Sequence, residues 1–141
     1  MKKLAIASDH GGYDLKEAIK NRFSDDVKFL DLGTTSGESV DYPDFGEAAA
    51  QSVLKGDVSR AIIICGTGIG ISIAANRHKG VRAALCTDVT MARLTREHND
   101  ANILALGARV TGEQVAMDIV DVFLKTEFEG GRHASRIKKL G

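Results

Sequence analysis

Short apolar segments alternate along the chain with longer segments of helical periodicity. Leu4 to Ala7, Ala61 to Cys65 and Val81 to Leu85 are apolar at nearly every position, which is typical of strands covered on both faces. Val27 to Leu32 and Asn102 to Leu106 are weaker candidates of the same kind. The pattern therefore predicts a sheet of five strands.

The segments between these strands have the apolar spacing of amphipathic helices. They lie near residues 12–23, 43–55, 69–78, 88–98 and 112–125, and a short basic helix is predicted from Arg132 to Leu140. Thr111 precedes Gln114 by three residues, which predicts a capping box at the start of the fifth helix. The alternation predicts an α/β fold, a Rossmann-like three-layer α/β/α sandwich around a parallel sheet with right-handed crossovers.

The composition is that of a globular protein of one domain, residues 1–141. Nineteen basic and nineteen acidic residues give a net charge of zero, so no global field favours nucleic acid or an anionic membrane. The longest apolar run, Ala61 to Cys65, is far below the roughly 20 residues that span a bilayer. The N-terminal apolar stretch reaches Asp9 too early for a signal peptide, and Cys65 and Cys86 suit reduced thiols, so we expect a cytoplasmic protein.

Candidate chemistry follows the predicted strands, where ligands bind in open parallel sheets. Asp9 to Gly12 follow the first strand, Cys65 to Gly70 the third, and Gly107 to Arg109 the fifth. Glycines 66, 68 and 70 allow a ligand to approach the backbone, and an anion or a developing oxyanion suits the helix that follows. A tight turn without ligand remains an alternative. A nucleotide site is a weaker one, because the dinucleotide fingerprint fails at Ile71 although Asp88 lies where a ribose-binding acid could sit.

Two thiols and a basic segment carry further hypotheses. Cys65, at the mouth of a helix N-terminus, could act as a base or nucleophile, although a free cysteine is often only packed in the core. Cys86 lacks the glycine loop and is interpreted as core, and a zinc site made of Cys65, Cys86 and His98 has no compact ligand spacing. Arg132 and Arg136 are four residues apart, so they could hold a phosphate or simply form a solvated helix face.

The position of His98 in its predicted helix indicates which subunit's site it could reach. A helix over residues 88–98 is about 16 Å long, so its far end lies on the opposite side of the sheet from the strand ends. Unless that helix is short or steeply inclined, His98 could then reach a strand-end site only in another subunit. Otherwise it is a helix-terminal histidine that interacts with the helix dipole.

Five motifs, in this order along the chain, together resemble ribose-5-phosphate isomerase of type B, a family that also includes allose-6-phosphate and galactose-6-phosphate isomerases. They are Asp9 to Gly12, Cys65 to Asn76, Arg96 to Asn99, Gly107 to Arg109, and Gly130 to His133 with Arg136. The resemblance covers essentially the whole chain. Another branch of the family has a glutamate base where this chain has Ile71, and the presence of Cys65 assigns the chain to the cysteine branch.

The resemblance implies isomerisation of ribose 5-phosphate to ribulose 5-phosphate through a cis-enediolate, a step of the pentose phosphate pathway, without cofactor or metal. Cys65 would be the base, Thr67 would assist, and His98 would open the furanose ring. The backbone of Gly66, Thr67, Gly68, Ile69 and Gly70 would stabilise the enediolate oxygen. Asp9 and Asn99 would hold the sugar, and His10, Arg109, Arg132 and Arg136 would hold the phosphate.

The resemblance also implies homodimers, sometimes paired into tetramers, with active sites at the subunit interface, in agreement with the position of His98. Three alternatives stay open at this point. The substrate could be a hexose 6-phosphate, allose or galactose. The chain could be a phosphosugar- or nucleotide-binding module without turnover, or a scaffold that only dimerises.

Overall fold

The computed structural model describes residues 2–141 and consists of five strands and six helices. The strands are β1 (Lys2–Ser8), β2 (Val27–Asp31), β3 (Arg60–Cys65), β4 (Ala83–Leu85) and β5 (Ile103–Gly107). The helices are α1 (Tyr13–Arg22), α2 (Tyr42–Leu54), α3 (Ile69–Ala75), α4 (Val89–Asn99), α5 (Glu113–Lys125) and α6 (Arg132–Lys138), and a single 3-10 turn spans His10–Gly12. Strand and helix alternate as the sequence pattern predicts.

All strand pairs are parallel, in the order β2-β1-β3-β5-β4. The order reverses between β1 and β3, since β2 lies on one side of β1 and the later strands lie on the other. The carboxyl ends of strands at such a reversal leave a crevice between their loops. The loops after β1 and β3, with Asp9 and Cys65, lie there, beside the loop after β5, because Cys65 pairs with Gly107.

Two apolar cores cover the two faces of the sheet, so the predicted three-layer α/β/α sandwich is confirmed. One core joins α1, α4 and α5 to large strand side chains, among them Leu4, Ile6, Ile62, Ile64, Leu104 and Leu106. The other joins α2 and α3 to a face on which alanines dominate, with Ala5, Ala7, Ala61 and Ala105 beside Ile63, Cys65 and Ile103. The helices α2 and α3 lie over this flatter face.

Local differences from the sequence prediction have physical causes. The helix α3 ends at Ala75 rather than near residue 78, because the Asn76 side chain donates to the Ala83 carbonyl at 2.8 Å and accepts from the Ala83 amide at 2.7 Å. Strand β4 begins at Ala83 instead of Val81. The capping-box prediction is wrong, because Gly112 is the N-cap of α5 and no side chain in the described part of the chain caps that helix.

Within residues 2–141, none of the helices has the length and apolar content needed to cross a membrane.

Candidate functional site

The predicted site residues fall into two groups at opposite edges of the sheet. The first group lies at the carboxyl edge, where β1, β3 and β5 end, and consists of Asp9, His10, Cys65, Gly66, Thr67, Gly68, Ile69, Gly70 and Arg109. The second group lies at the amino edge, on α4 and α6, and consists of His98, Asn99, Arg132 and Arg136.

Cys65 ends β3 with its side chain buried on the α2 and α3 face, and only 5% of it is exposed. Its Sγ accepts a hydrogen bond from the Gly68 amide at 3.2 Å. The loop between them turns because Gly68 has φ +79°, and a Cβ at this position would lie 2.5 Å from Leu85 Cδ1. Only glycine satisfies both the angle and the space, so the loop conformation depends on it.

The polar side chains around Cys65 have defined hydrogen-bonding roles. Thr67 Oγ1 accepts from the Ile69 amide at 3.1 Å, which leaves the hydroxyl proton to donate outward. His10 Nδ1 accepts from the Val40 amide at 3.1 Å, so Nε2 of the neutral ring carries the proton. Asp9 is buried, and its Oδ1 accepts from the Gly12 amide at 3.2 Å, while Oδ2 makes no such bond to the described residues. The edge therefore presents two donors and one acceptor.

Arg109 lies over the glycine loop. A Cβ on Gly66 would meet the Arg109 side chain at 3.4 to 3.5 Å, which shows how closely the guanidinium approaches the backbone after Cys65. The Arg109 amide donates to the Gly66 carbonyl at 2.9 Å, so the loops after β3 and β5 are joined. Within residues 2–141, no hydrogen bond or ion pair engages the Arg109 guanidinium, which leaves this cation available to an anion.

The second group begins at the last turn of α4. The Asn99 carbonyl accepts from Nε of Arg82, the residue that precedes β4, so this end of α4 lies at the amino edge of the sheet. Since α4 starts after the carboxyl end of β4, the helix runs from one edge to the other. His98 therefore lies on the opposite side of the sheet from Cys65 of the same chain, as the helix length predicts.

The short helix α6 brings His133 and Arg136 to His98. His98, Asn99, His133, Arg136, Ile137 and Leu140 line a cavity of about 300 Å³. Arg132 and Arg136 are both exposed, and no hydrogen bond or ion pair within residues 2–141 engages either guanidinium. The His98 imidazole, the Asn99 amide and the free guanidinium of Arg136 together suit a phosphorylated, hydroxyl-bearing ligand, and Arg132 lies one turn earlier on the same helix.

His133 is a member of this cluster for which the sequence predicted no role, although it belongs to one of the quoted motifs. Its ring stacks on His98 with centroids 4.4 Å apart and planes inclined by 16°. With Glu129, the two histidines could in principle hold a metal, since the ligand atoms lie within 4.8 Å of one another. The stacked rings are nearly parallel, however, so no single ion can lie in the plane of both imidazoles. The arrangement fits packing of aromatic rings better than metal coordination.

Cys86 is a buried core residue, as the sequence predicts. Burial and the nearby Asp88 carboxylate raise the pKa of its thiol to about 12, so the thiol stays protonated. It packs on the α4 and α5 face, whereas Cys65 packs on the α2 and α3 face. The three residues considered for zinc, Cys65, Cys86 and His98, are therefore not brought together.

A buried lysine is a second residue for which the sequence predicted no role. Lys16 is 1% exposed, and its Nζ donates to both carboxylate oxygens of Asp31, at 2.9 and 2.7 Å. Burial raises the pKa of Asp31, but hydrogen bonds from Lys16 and Lys20 outweigh it and keep the pKa below its ordinary value. No sequence signal marks Lys16, because lysine on an amphipathic helix is ordinarily exposed.

Comparisons with known proteins agree with one another. The family model described as Ribose/Galactose Isomerase matches residues 4–140. Ribose-5-phosphate isomerase B of Escherichia coli K12 is 45% identical over 99% of this chain and 95% of its own. The structure of ribose-5-phosphate isomerase B from Clostridium thermocellum has a TM-score of 0.97 at 58% identity, covering 99% and 95% of the two chains. That of Mycoplasma genitalium, with bound ribulose 5-phosphate, has a TM-score of 0.93 at 42% identity, covering 98% and 93%.

Proposed function

Because the chain belongs to the family of ribose and galactose isomerases, we propose that it interconverts ribose 5-phosphate and ribulose 5-phosphate through a cis-enediolate, with Cys65 as the base. The observation that carries this proposal is the thiol at the end of β3, inside a loop of glycines and beside a free arginine. The proton moves between two carbons of one substrate, so a single base suffices and no cofactor is required.

The proposed reaction begins at C2 of the open-chain sugar. The Cys65 thiolate takes the C2 proton, the electron pair forms the C1–C2 double bond, and the negative charge passes to O1. A proton then moves from the O2 hydroxyl to O1. The Cys65 thiol returns its proton to C1, the C2 carbonyl forms, and the thiolate is regenerated. The Gly68 amide supports this cycle, since a donor at Sγ stabilises the charge that returns there.

The enediolate oxygens need donors in the same loop. The Gly68 and Ile69 amides are already engaged by Cys65 Sγ and Thr67 Oγ1, so they are less available than the sequence suggested. The Gly66, Thr67 and Gly70 amides and the outward Thr67 hydroxyl are the donors we assign to the oxygens. One such preorganised donor contributes about 3 kcal/mol to transition-state stabilisation.

The remaining roles follow from charge and hydrogen-bonding capacity. The free Asp9 oxygen accepts from a sugar hydroxyl, and the Nε2 proton of His10 donates to the phosphate together with Arg109. His98 opens the furanose by protonating the ring oxygen and accepting the O1 proton. Asn99 contacts the sugar, and Arg132 and Arg136 complete the phosphate site. Because these four residues lie at the opposite sheet edge from Cys65, we propose that a second copy of the chain supplies them, in a homodimer or a pair of dimers.

The proposed setting is the cytoplasm, where this isomerisation belongs to the pentose phosphate pathway. Both cysteines are free thiols, which suits a reducing compartment.

The base is tested by replacing Cys65. We expect Cys65→Ala to abolish turnover and to stop deuterium incorporation at C2 of ribose 5-phosphate in heavy water, while substrate still binds. Cys86→Ala is the matched control, because it removes the other thiol and leaves the loop intact. Isotope exchange that persists in Cys65→Ala would assign the proton transfer to another group.

The sugar is tested with EDTA-treated protein and three substrates in parallel. We expect the highest kcat/KM for ribose 5-phosphate over allose 6-phosphate and galactose 6-phosphate. A preference for a hexose would keep the mechanism and change the substrate. Saturable binding without turnover of any of the three would favour a phosphosugar-binding module.

A further inference from the structure

His133 is the one buried residue of α6. The imidazole is 6% exposed and covers the ring of the half-buried His98. The segment before α6 is held to the same turn of α4, since the Glu129 amide donates to the Glu97 carbonyl at 3.1 Å. The end of α4 and the start of α6 are thus joined by one backbone hydrogen bond and one stack of rings.

The polar atoms of the His133 ring do little in this contact. Its Nε2 is buried and has no hydrogen-bond partner within residues 2–141. Glu129 Oε1 approaches this nitrogen only to 3.5 Å, from a side chain that is half exposed. A buried polar atom without a partner costs free energy, so hydrogen bonding does not explain an imidazole here. What the ring supplies is a flat aromatic surface against His98.

A histidine on the last turn of a helix has two free side-chain torsions and occupies several rotamers unless neighbours select one. The stack selects one for His98. Proton transfer to a ring oxygen requires the imidazole within hydrogen-bond reach, and a misplacement of about 1 Å can reduce a rate on the order of a hundredfold. An aromatic surface that holds His98 therefore acts on the reaction by orienting that imidazole, without transferring a proton itself.

From these contacts we infer that His133 is a positioning residue, whose stacked ring holds His98 in the orientation for furanose opening and docks α6, with Arg132 and Arg136, beside it. This inference rests on the proposed function, because His133 acts only through the ring-opening role proposed for His98. The positioning role requires only the flat face of the His133 ring and neither of its nitrogens.

Ring opening can be measured without isomerisation. In a Cys65→Ala background the C2 proton is not removed, but opening and reclosure still interconvert the α and β anomers of ribose 5-phosphate. NMR exchange spectroscopy follows this interconversion. We expect His133→Ala to lower the enzyme-dependent anomer exchange about tenfold or more. His133→Phe keeps a flat ring and removes the unpaired nitrogen, so we expect exchange within about threefold of the Cys65→Ala parent.

Glu129→Gln is the matched control, since it removes the charge nearest His133 and leaves the stack, and we expect unchanged exchange. With Cys65 intact, the KM for ribose 5-phosphate should rise in His133→Ala and recover in His133→Phe, because α6 carries Arg132 and Arg136, the arginines proposed to bind the phosphate. Exchange that is indifferent to His133→Ala, or equally impaired in a folded His133→Phe protein, would overturn the inference. Absence of enzyme-dependent exchange in the Cys65→Ala parent would instead refute the ring-opening role in the proposed function, and the inference with it.

Discussion

The buried cation of Lys16 connects the first helix to the backbone beside the candidate site. Asp31 accepts from Lys16 and also from the Gly33 amide, through Oδ1 at 2.9 Å. Gly33 in turn accepts from the Ser8 amide at 2.8 Å, next to Asp9. The ion pairs of Asp31 therefore help to hold the backbone before Asp9, the carboxylate proposed to bind the sugar, and we expect their loss to reduce stability before it affects activity.

We expect Lys16→Met, which keeps the aliphatic stem, to lower the free energy of unfolding by about 1–3 kcal/mol at pH 7. The pKa of Asp31 is lowered in the folded state, so its stabilisation is present above the ordinary aspartate value near 3.9 and is lost as pH falls through the folded value. Urea unfolding should therefore show the difference between wild type and variant shrinking below about pH 4. Lys20→Met, at a more exposed partner of Asp31, should cost less; an equal cost would show that burial adds nothing.

For helices and strands, the sequence predicts those features whose physical cause lies within the same segment of the chain. Strands β1 and β3 are recognisable because both faces are buried, and their apolar runs need no knowledge of neighbours. The end of α3 at Ala75 depends on a contact with Ala83, which no periodicity reveals. The predicted cap at Thr111 failed for the same reason, since Thr111 is buried in the fold and Gly112 takes the N-cap position.

The uncapped α5 offers a stabilising change. Gly112 has φ −64° and ψ 156°, which any residue can adopt, and a Cβ there would meet no atom of residues 2–141 within 4 Å. We expect Gly112→Ser to raise the free energy of unfolding by about 0.5–1 kcal/mol, by capping the helix and reducing the entropy of the unfolded chain. Gly56→Ala is the contrasting variant, because its surroundings are equally open but its φ of +79° strains an alanine. Thermal unfolding should move in opposite directions; a gain in both would rule out backbone angle as the cause.

The candidate site becomes understandable only at the scale of the whole molecule. The glycine loop with Cys65 and the pairing of Arg132 with Arg136 are visible in the sequence, because each is local. Their placement at opposite sheet edges follows from the path of α4 across the sheet, which the length of that helix predicts. The stack of His133 on His98 joins residues 35 positions apart in the chain, so no local pattern in the sequence predicts the contact.

This separation predicts complementation between two inactive chains. Mixing Cys65→Ala with His98→Asn protein should restore one intact site in each heterodimer, where wild-type Cys65 of one subunit meets wild-type His98 of the other. Random exchange of equal amounts gives about a quarter of wild-type specific activity. Activity is assayed with ribose 5-phosphate after native mass spectrometry has established subunit exchange. Continued inactivity of a mixture that has exchanged would place both residues in the same subunit's site.

Because side-chain sizes differ between the two faces of the sheet, different kinds of substitution destabilise each face. Beneath α2 and α3 the alanines leave no room, and enlarging one forces helices away from the strand that carries Cys65, at about 1–3 kcal/mol. Beneath α1, α4 and α5 the danger is truncation, since removing a buried leucine or isoleucine opens a cavity at about 2–5 kcal/mol. Substitutions that add volume are therefore the costly ones on the face that carries Cys65, and substitutions that remove volume are the costly ones on the other face.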